Sequence, residues 1–63
     1  SFNNWIYFPK SGWMWTAKFA YPFFFHAEEK AWFLSLQSEK ERGWFKSELD
    51  GTLHLWGREY NEK

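Results

Sequence analysis

The sequence predicts a small all-β fold, an antiparallel meander of about six short strands of the hairpin-repeat type. Aromatic runs of four or five residues recur along the 63-residue chain, and turn signals separate them at short, fairly regular intervals. Short strands at regular spacing, with turns between them, favour such a fold. A chain of this length supports one domain at most, so residues 1–63 are interpreted as a single small module.

The aromatic runs define the strands in chain order, and the residues between them define the turns. Pro9 presets φ and Gly12 is free to adopt positive φ, which predicts a turn after the first run. Polar residues follow the third and fourth runs, and Asp50-Gly51 is the strongest hairpin dipeptide of the chain. The predicted strands are Trp5–Phe8, Trp13–Thr16, Phe23–His26, Trp32–Leu36, Trp44–Ser47 and Thr52–Trp56.

Residues 27–42 admit a second interpretation. Glu, Lys, Ala, Leu and Gln in this segment are good helix formers. The apolar residues do not form a narrow stripe at the helical period, whereas in a strand Trp32, Leu34 and Leu36 share one face. The pattern favours a strand, and the sequence leaves the helix open as the alternative.

The two ends of the chain predict that the module is joined to other parts of a longer protein. The chain starts at Ser1 rather than Met, which predicts a fragment or a processed product. The polar residues 58–63 follow Gly57 and are expected to fray or to form a linker.

Aromatic content has the strongest functional consequence. The chain has six Trp, three Tyr and eight Phe, which together make up 27% of its residues. One ring buries about 150–250 Å² when fully inside, yet a domain this small buries only about 60% of its unfolded surface. Alternation also puts aromatic side chains on both faces of the first strands; Trp13 and Trp15, for example, share a face from which Met14 points away. We therefore expect some rings to be exposed or covered by a partner.

A loose internal repeat indicates what that partner is. Trp32, Trp44 and Trp56 are spaced by twelve residues, and Gly-Trp occurs at Gly12-Trp13 and Gly43-Trp44. Periodicity on the scale of a hairpin is typical of stacked arrays, in which each unit buries its face on its neighbour. Strands with aromatic residues on both faces need a cover from neighbouring repeats, another subunit or a ligand, and this periodicity supports neighbouring repeats.

Five aromatic motifs follow one another over residues 5 to 45: Trp5-Ile6-Tyr7, Gly12-Trp13-Met14-Trp15-Thr16, Tyr21-Pro22-Phe23-Phe24-Phe25, Trp32-Phe33-Leu34 and Trp44-Phe45. In this order they resemble a Trp-rich module found near the C-termini of large surface or secreted proteins of aquatic bacteria. More distantly, the Gly-Trp hairpins resemble the choline- and glucan-binding repeats of bacterial cell-wall proteins. The resemblance implies an extracellular or cell-surface module, and it carries no activity or individual ligand residue over to this chain.

Charge and motif content argue against several function classes. Eight Lys and Arg balance eight Asp and Glu, so the chain lacks the surplus positive charge of a nucleic-acid binder. No apolar run approaches the roughly 20 residues of a membrane span. His26 and His54 lack metal-ligand spacing, and the chain has no cysteine, nucleophile elbow or phosphate loop. We expect neither an enzyme nor a metal, cofactor or nucleic-acid partner.

Two functions remain, and they use the same aromatic residues. The first is a non-catalytic attachment or assembly module that packs on its parent polypeptide, on neighbouring copies or on cell-surface components. The second is a carbohydrate-binding module in which exposed rings stack on polysaccharide. The candidate binding residues for either function are Tyr7, Trp13, Trp15, Trp32, Trp44 and Trp56.

Overall fold

The computed structural model of the chain describes residues 4–57. Within them the chain forms six antiparallel strands and no α-helix, which confirms the predicted all-β meander. The predicted tail at 58–63 lies outside the described residues. The strands are β1 (Trp5–Phe8), β2 (Gly12–Trp15), β3 (Phe23–His26), β4 (Ala31–Ser35), β5 (Trp44–Ser47) and β6 (Leu53–Leu55).

The strands lie side by side in the order in which they occur along the chain. Each pairs antiparallel with the next, from β1 at one edge to β6 at the other. β1, β3 and β5 have the predicted bounds, whereas β2 begins one residue early because Gly12 pairs with Phe8. Short connections between successive strands favour antiparallel neighbours, so the turn spacing of the sequence determines the topology.

The β3–β4 and β5–β6 hairpins have the same hydrogen bond at their turns. The Lys30 N–H donates to the His26 carbonyl at 2.8 Å, and the Gly51 N–H donates to the Ser47 carbonyl at 2.9 Å. Both donors adopt positive φ, 54° at Lys30 and 78° at Gly51. Asp50-Gly51 therefore lies in a hairpin turn, but it is not a two-residue type I′ turn, because that turn requires positive φ at both residues.

Residues 27–42 form a strand flanked by turns rather than an α-helix. A turn at 27–30 precedes β4, and a single 3₁₀ helix covers Glu39–Glu41. In β4, Phe33 is buried and lies opposite Phe24 of β3 and Ser47 of β5. Sheet pairing on both sides and burial of Phe33 outweigh the helix propensity of the flanking residues.

Alternation along the strands gives the sheet a buried inner face. Met14, Phe24, Phe33 and Phe45 form its core. The sheet curls around this face, so that the ring centroid of Phe8 on β1 lies 5.5 Å from that of Phe45 on β5. Phe24 meets Phe45 at 5.4 Å and an interplanar angle of 88°. Such edge-to-face pairs contribute about 0.5–1.5 kcal/mol each beyond the area they bury.

Candidate functional site

The opposite, outer side of the sheet carries a group of aromatic side chains. Because side chains alternate along a strand, and Met14, Phe24 and Phe33 are buried on the inner face, their sequence neighbours point outward. We call this group the outer aromatic face. It consists of Trp5, Tyr7, Trp13, Trp15, Phe23, Phe25 and Trp32.

Strand pairing brings these rings into contact with one another. Trp15 lies opposite Phe25, and Phe25 lies opposite Trp32. The ring centroids are 5.3 Å apart for Tyr7 and Trp13, 6.3 Å for Trp15 and Trp32, and 5.3 Å for Phe25 and Trp32. The interplanar angles of these three pairs are 63°, 77° and 65°. The rings therefore pack edge to face and do not present one flat platform.

The outer aromatic face is only partly covered. Tyr7 is 56% exposed, Trp13 50% and Trp32 41%. Phe19, in the connection between β2 and β3, is 86% exposed, and its ring centroid lies 6.0 Å from that of Trp15. Phe19 thus extends the aromatic surface beyond the strands. Exposed apolar surface of this kind makes the outer aromatic face the candidate interaction site.

Polar side chains at the adjoining end of the sheet have partners within the chain. The Thr16 hydroxyl donates to the Phe23 carbonyl at 2.7 Å. The Tyr21 hydroxyl donates to the Gln37 side-chain oxygen at 2.9 Å. These groups fix the connection between β2 and β3, so the chemistry of this side of the molecule is dominated by ring faces and ring edges.

The six candidate residues predicted from the sequence divide between the two faces. Trp44 on β5 points outward and is half-buried opposite Leu55. Trp56 lies on the inner face, where its ring packs against the core residue Phe33 at a centroid distance of 4.8 Å. The other four belong to the outer aromatic face: Tyr7, Trp13, Trp15 and Trp32.

Four further aromatic residues belong to the outer surface and were not among the candidates predicted from the sequence: Trp5, Phe19, Phe23 and Phe25. Trp5 on β1 pairs with Trp15 on β2. Phe23 and Phe25 alternate with the buried Phe24, but only the pairing of β3 with its neighbours shows that they join the tryptophans. Alternation combined with an assumed meander order would have found them. Phe19 lies in a connection without strand periodicity, and no sequence signal identifies it.

Trp56 belongs to a second aromatic cluster, on the inner face. Its ring stacks on His54 at a centroid distance of 4.6 Å and lies 4.9 Å from the His26 ring. His26 is 3% exposed, and its Nδ1 accepts the backbone N–H of Glu29 at 3.0 Å. An accepting Nδ1 carries no proton, so this bond selects the His26 tautomer with its proton on Nε2. The bond gives His26 a structural role in the β3–β4 turn.

A chain of hydrogen bonds connects the β5–β6 turn with His54. The Thr52 hydroxyl donates to Asp50 Oδ1 at 2.8 Å and lies 3.0 Å from His54 Nε2. The Thr52 N–H donates to the same carboxylate oxygen at 3.0 Å. The bonds from the Thr52 backbone and side chain lower the pKa of Asp50 below its ordinary value of 3.8. Because the hydroxyl proton points to Asp50, His54 is not placed to remove it, and the arrangement is that of a stabilised turn.

A cleft lies between the C-terminal part of β1 and the residues that follow β6. It has a volume of about 470 Å³ and is lined by mainly apolar residues. Ile6 and Phe8 lie on one side, and Trp56 and Gly57 on the other. The cleft lies between the two edges of the curled sheet, and within residues 4–57 β1 and β6 do not pair with each other.

Over residues 4–57, no group of three or more His, Asp or Glu side chains is arranged to hold a metal ion. Nor does this part of the chain contain a helix of the length and hydropathy needed to cross a membrane. Comparisons of the chain with protein-family models, curated proteins and solved structures find no match.

Proposed function

We propose that the chain is a non-catalytic attachment or assembly module, which packs through its outer aromatic face on an apolar surface of a neighbouring module. One observation carries the proposal: edge-to-face rings extend over four adjacent strands and remain partly exposed. Tyr7, Trp13 and Trp32 are each more than a third exposed, and Phe19 is 86% exposed. Covering these rings would remove apolar area from water at about 25 cal/mol per Å².

The ring geometry favours packing against protein over stacking on sugar. Polysaccharide binding by stacking requires ring planes that lie open and roughly parallel to the sugar. Here each of three adjacent pairs is inclined by more than 60°, including Trp15 with Trp32 at 77°. Such a surface has ridges and grooves into which aliphatic or aromatic side chains of a second protein surface fit.

The resemblance of its motifs to Trp-rich modules of bacterial surface proteins supports our proposal for the module's place in the cell. We assign it to the extracellular or cell-surface side of a larger polypeptide. Its partners there are the parent polypeptide, neighbouring copies or other cell-surface components. The equal numbers of acidic and basic residues fit recognition by apolar packing rather than by electrostatic attraction.

Sedimentation velocity over a range of concentrations tests the assembly role. We expect the sedimentation coefficient of the wild-type chain to rise with concentration, and Trp13→Thr and Trp32→Thr to weaken this association. Threonine keeps the preference for strand at both sites. Leu49→Ser is the matched control, because Leu49 is 85% exposed but lies in the β5–β6 turn, off the outer aromatic face. A wild-type chain that stays monomeric at all concentrations would contradict assembly with neighbouring copies.

Carbohydrate binding remains the second candidate, and it is favoured by the exposure of Trp13 and Trp32. A titration of tryptophan emission with a panel of polysaccharides distinguishes the two functions. A saturable blue shift that Trp13→Thr abolishes would support sugar recognition. An unchanged spectrum with every sugar, together with association in sedimentation, would support assembly.

A further inference from the structure

The two edge strands of the sheet carry an interaction surface distinct from the outer aromatic face. We infer that β6 of one copy pairs antiparallel with β1 of a second copy, so that the meander continues from chain to chain. This inference rests on the assembly role proposed above and names its partner, a second copy of this chain. It follows from the hydrogen-bonding direction of the edges, their side chains, the hairpin repeat and the charges at the turns.

The register shows which backbone groups point away from the sheet. At β1, Asn4 and Phe8 bond toward β2, since the Thr16 N–H donates to the Asn4 carbonyl and the Ser11 N–H to the Phe8 carbonyl. Hydrogen-bonded and non-hydrogen-bonded positions alternate in antiparallel pairs. The N–H and C=O groups of Trp5 and Tyr7 therefore point outward.

The same alternation holds at β6. The Ser47 N–H donates to the Thr52 carbonyl, and the Trp56 N–H donates to the Gly43 carbonyl. The intervening residues Leu53 and Leu55 lie at non-hydrogen-bonded positions, so their N–H and C=O groups point outward. Within residues 4–57, β1 and β6 each pair with one strand only.

Neither edge strand contains a charged side chain or a proline. Natural edge strands are commonly protected by charged side chains, proline or bulges. β1 consists of Trp, Ile, Tyr and Phe, and β6 of Leu, His and Leu, so neither strand contains Lys, Arg, Asp, Glu or Pro. Tyr7 is 56% exposed and Leu53 54%. These two edges are therefore suited to pairing with each other.

The internal architecture already contains the same junction twice. The chain consists of three hairpins, and successive hairpins pair through β2 with β3 and through β4 with β5. Each hairpin has one residue with positive φ at its turn, namely Gly12, Lys30 and Gly51. Because the number of strands is even, an incoming β1 lies antiparallel to β6 and continues this pattern. Repeat units that stack in this way bury faces that one unit leaves open.

The cleft and the turn charges fit this partner. The cleft lies between β1 and β6 of one chain, and its mainly apolar lining can receive inner-face side chains of an incoming β1. In a continued meander, the β5–β6 turn of one copy lies beside the β1–β2 turn of the next. The first carries Glu48 and Asp50, and the second carries Lys10, so opposite charges meet. The contact joins two different edges and can therefore extend beyond a dimer.

Backbone N-methylation in chemically synthesised chains tests the inference, because it blocks an edge without changing a side chain. One chain carries N-methyl at Tyr7 and a second at Leu53, where the native N–H points outward and makes no bond within the sheet. N-methyl at Lys18, in the β2–β3 connection, is the control. All three chains also carry Trp13→Thr and Trp32→Thr, so that the outer aromatic face contributes little to association. We expect the Lys18 chain to associate in sedimentation velocity, and each edge-blocked chain alone to remain monomeric.

The decisive sample is an equimolar mixture of the two edge-blocked chains. One has an intact β6 edge and the other an intact β1 edge, so the mixture should form a 1:1 dimer and nothing larger. A misfolded variant could not form this dimer, so its appearance also proves that both chains are folded. Hydrogen exchange of the wild-type chain gives a second measurement: the amides of Tyr7 and Leu53 should become protected as concentration rises.

The outcomes separate the inference from the assembly role. If the edge-blocked chains associate like the Lys18 chain, or if the mixture stays monomeric while the wild-type chain associates, edge pairing is wrong and assembly through the outer aromatic face stands. If the wild-type chain never associates, both edge pairing and assembly between copies are wrong.

Discussion

The inner and outer faces of the sheet use the same kind of side chain but differ in what covers them. Adjacent residues of β4 show this: Phe33 is 4% exposed and Trp32 is 41% exposed. Both rings make several aromatic contacts, Phe33 with Trp56 at 4.8 Å and Trp32 with Phe25 at 5.3 Å. The difference arises from the curl of the sheet, which closes over one face only. Ring-to-ring contact alone therefore does not bury a ring, and aromatic content by itself does not distinguish core from surface.

Removing a ring from the inner face should give the largest effect. Phe33→Ala deletes a ring that contacts His26, His54 and Trp56, and it leaves a cavity under the curl. Truncation of a buried Phe costs about 3–5 kcal/mol, which is comparable with the whole stability of a domain this small. We expect the variant to be unfolded or nearly so at 25 °C, measured by near-UV circular dichroism. A cooperative transition close to that of the wild type would show that the inner face is not the core.

The position of Trp56 on the inner face depends on a close backbone approach. A Cβ added at Gly57 would lie 2.7 Å from Gly43 Cα, and both residues are held by the bond from the Gly57 N–H to the Gly43 carbonyl, at 2.8 Å. Gly57→Ala must move backbone against backbone and should cost about 1–3 kcal/mol in denaturant unfolding.

Gly12→Ala is the control for this variant. A Cβ at Gly12 meets nothing within 4 Å, but φ is 97°, so only conformational strain opposes the substitution. We expect a cost of about 1–2 kcal/mol and an unchanged chemical shift of the Trp56 indole N–H. If Gly12→Ala proves the more harmful of the two, the close approach at Gly57 does not govern the packing of Trp56.

The sequence predicted the fold better than the division between the faces, and the reason is physical. The hairpin fold and the strand alternation depend on local chemistry, and both predictions are confirmed. Gly12 lies at a turn, and Met14 lies on the face of β2 away from Trp13 and Trp15. The direction in which the sheet curls determines which of its two aromatic faces becomes buried. Contacts between residues far apart in sequence contribute to that curl, such as the contact between Phe8 and Phe45.

The dependence of burial on contacts distant in sequence also explains why the position of individual candidate residues could not be predicted. Trp56 follows the regular spacing of Trp32 and Trp44, and the sequence gives no reason to separate the three. In the structure the strand alternation after Phe45 and His54 turns Trp56 inward, where it meets His26 across the sheet. A spacing of twelve residues therefore does not place the three tryptophans on one face.

Removing a ring from the outer face should cost less than removing one from the inner face. Trp13→Ala loses the edge-to-face contact with Tyr7 and the buried half of the indole, which we expect to cost about 1–2 kcal/mol. The variant should remain folded and show two-state unfolding at a lower denaturant midpoint. Comparison with Phe33→Ala under the same conditions measures the difference between the faces directly. Equal losses in the two variants would mean that the outer rings are as well packed as the core.

The smallest expected effect lies at the end of the sheet, in the turn that leads into β6. Hydrogen bonds from the Thr52 backbone and hydroxyl lower the pKa of Asp50, so the carboxylate contributes stability above the unfolded pKa and loses it as the pH falls through the lower, folded pKa. Thr52→Val removes the hydroxyl but keeps the backbone N–H. The pKa of Asp50, followed by carboxyl ¹³C shifts, should therefore rise only part of the way toward 3.8, and Asp50→Asn should abolish this part of the acid dependence. An Asp50 titration that Thr52→Val leaves unchanged would show that the hydroxyl bonds His54 instead. The turn would then orient the imidazole that stacks on Trp56, and would link the β5–β6 turn to the inner face.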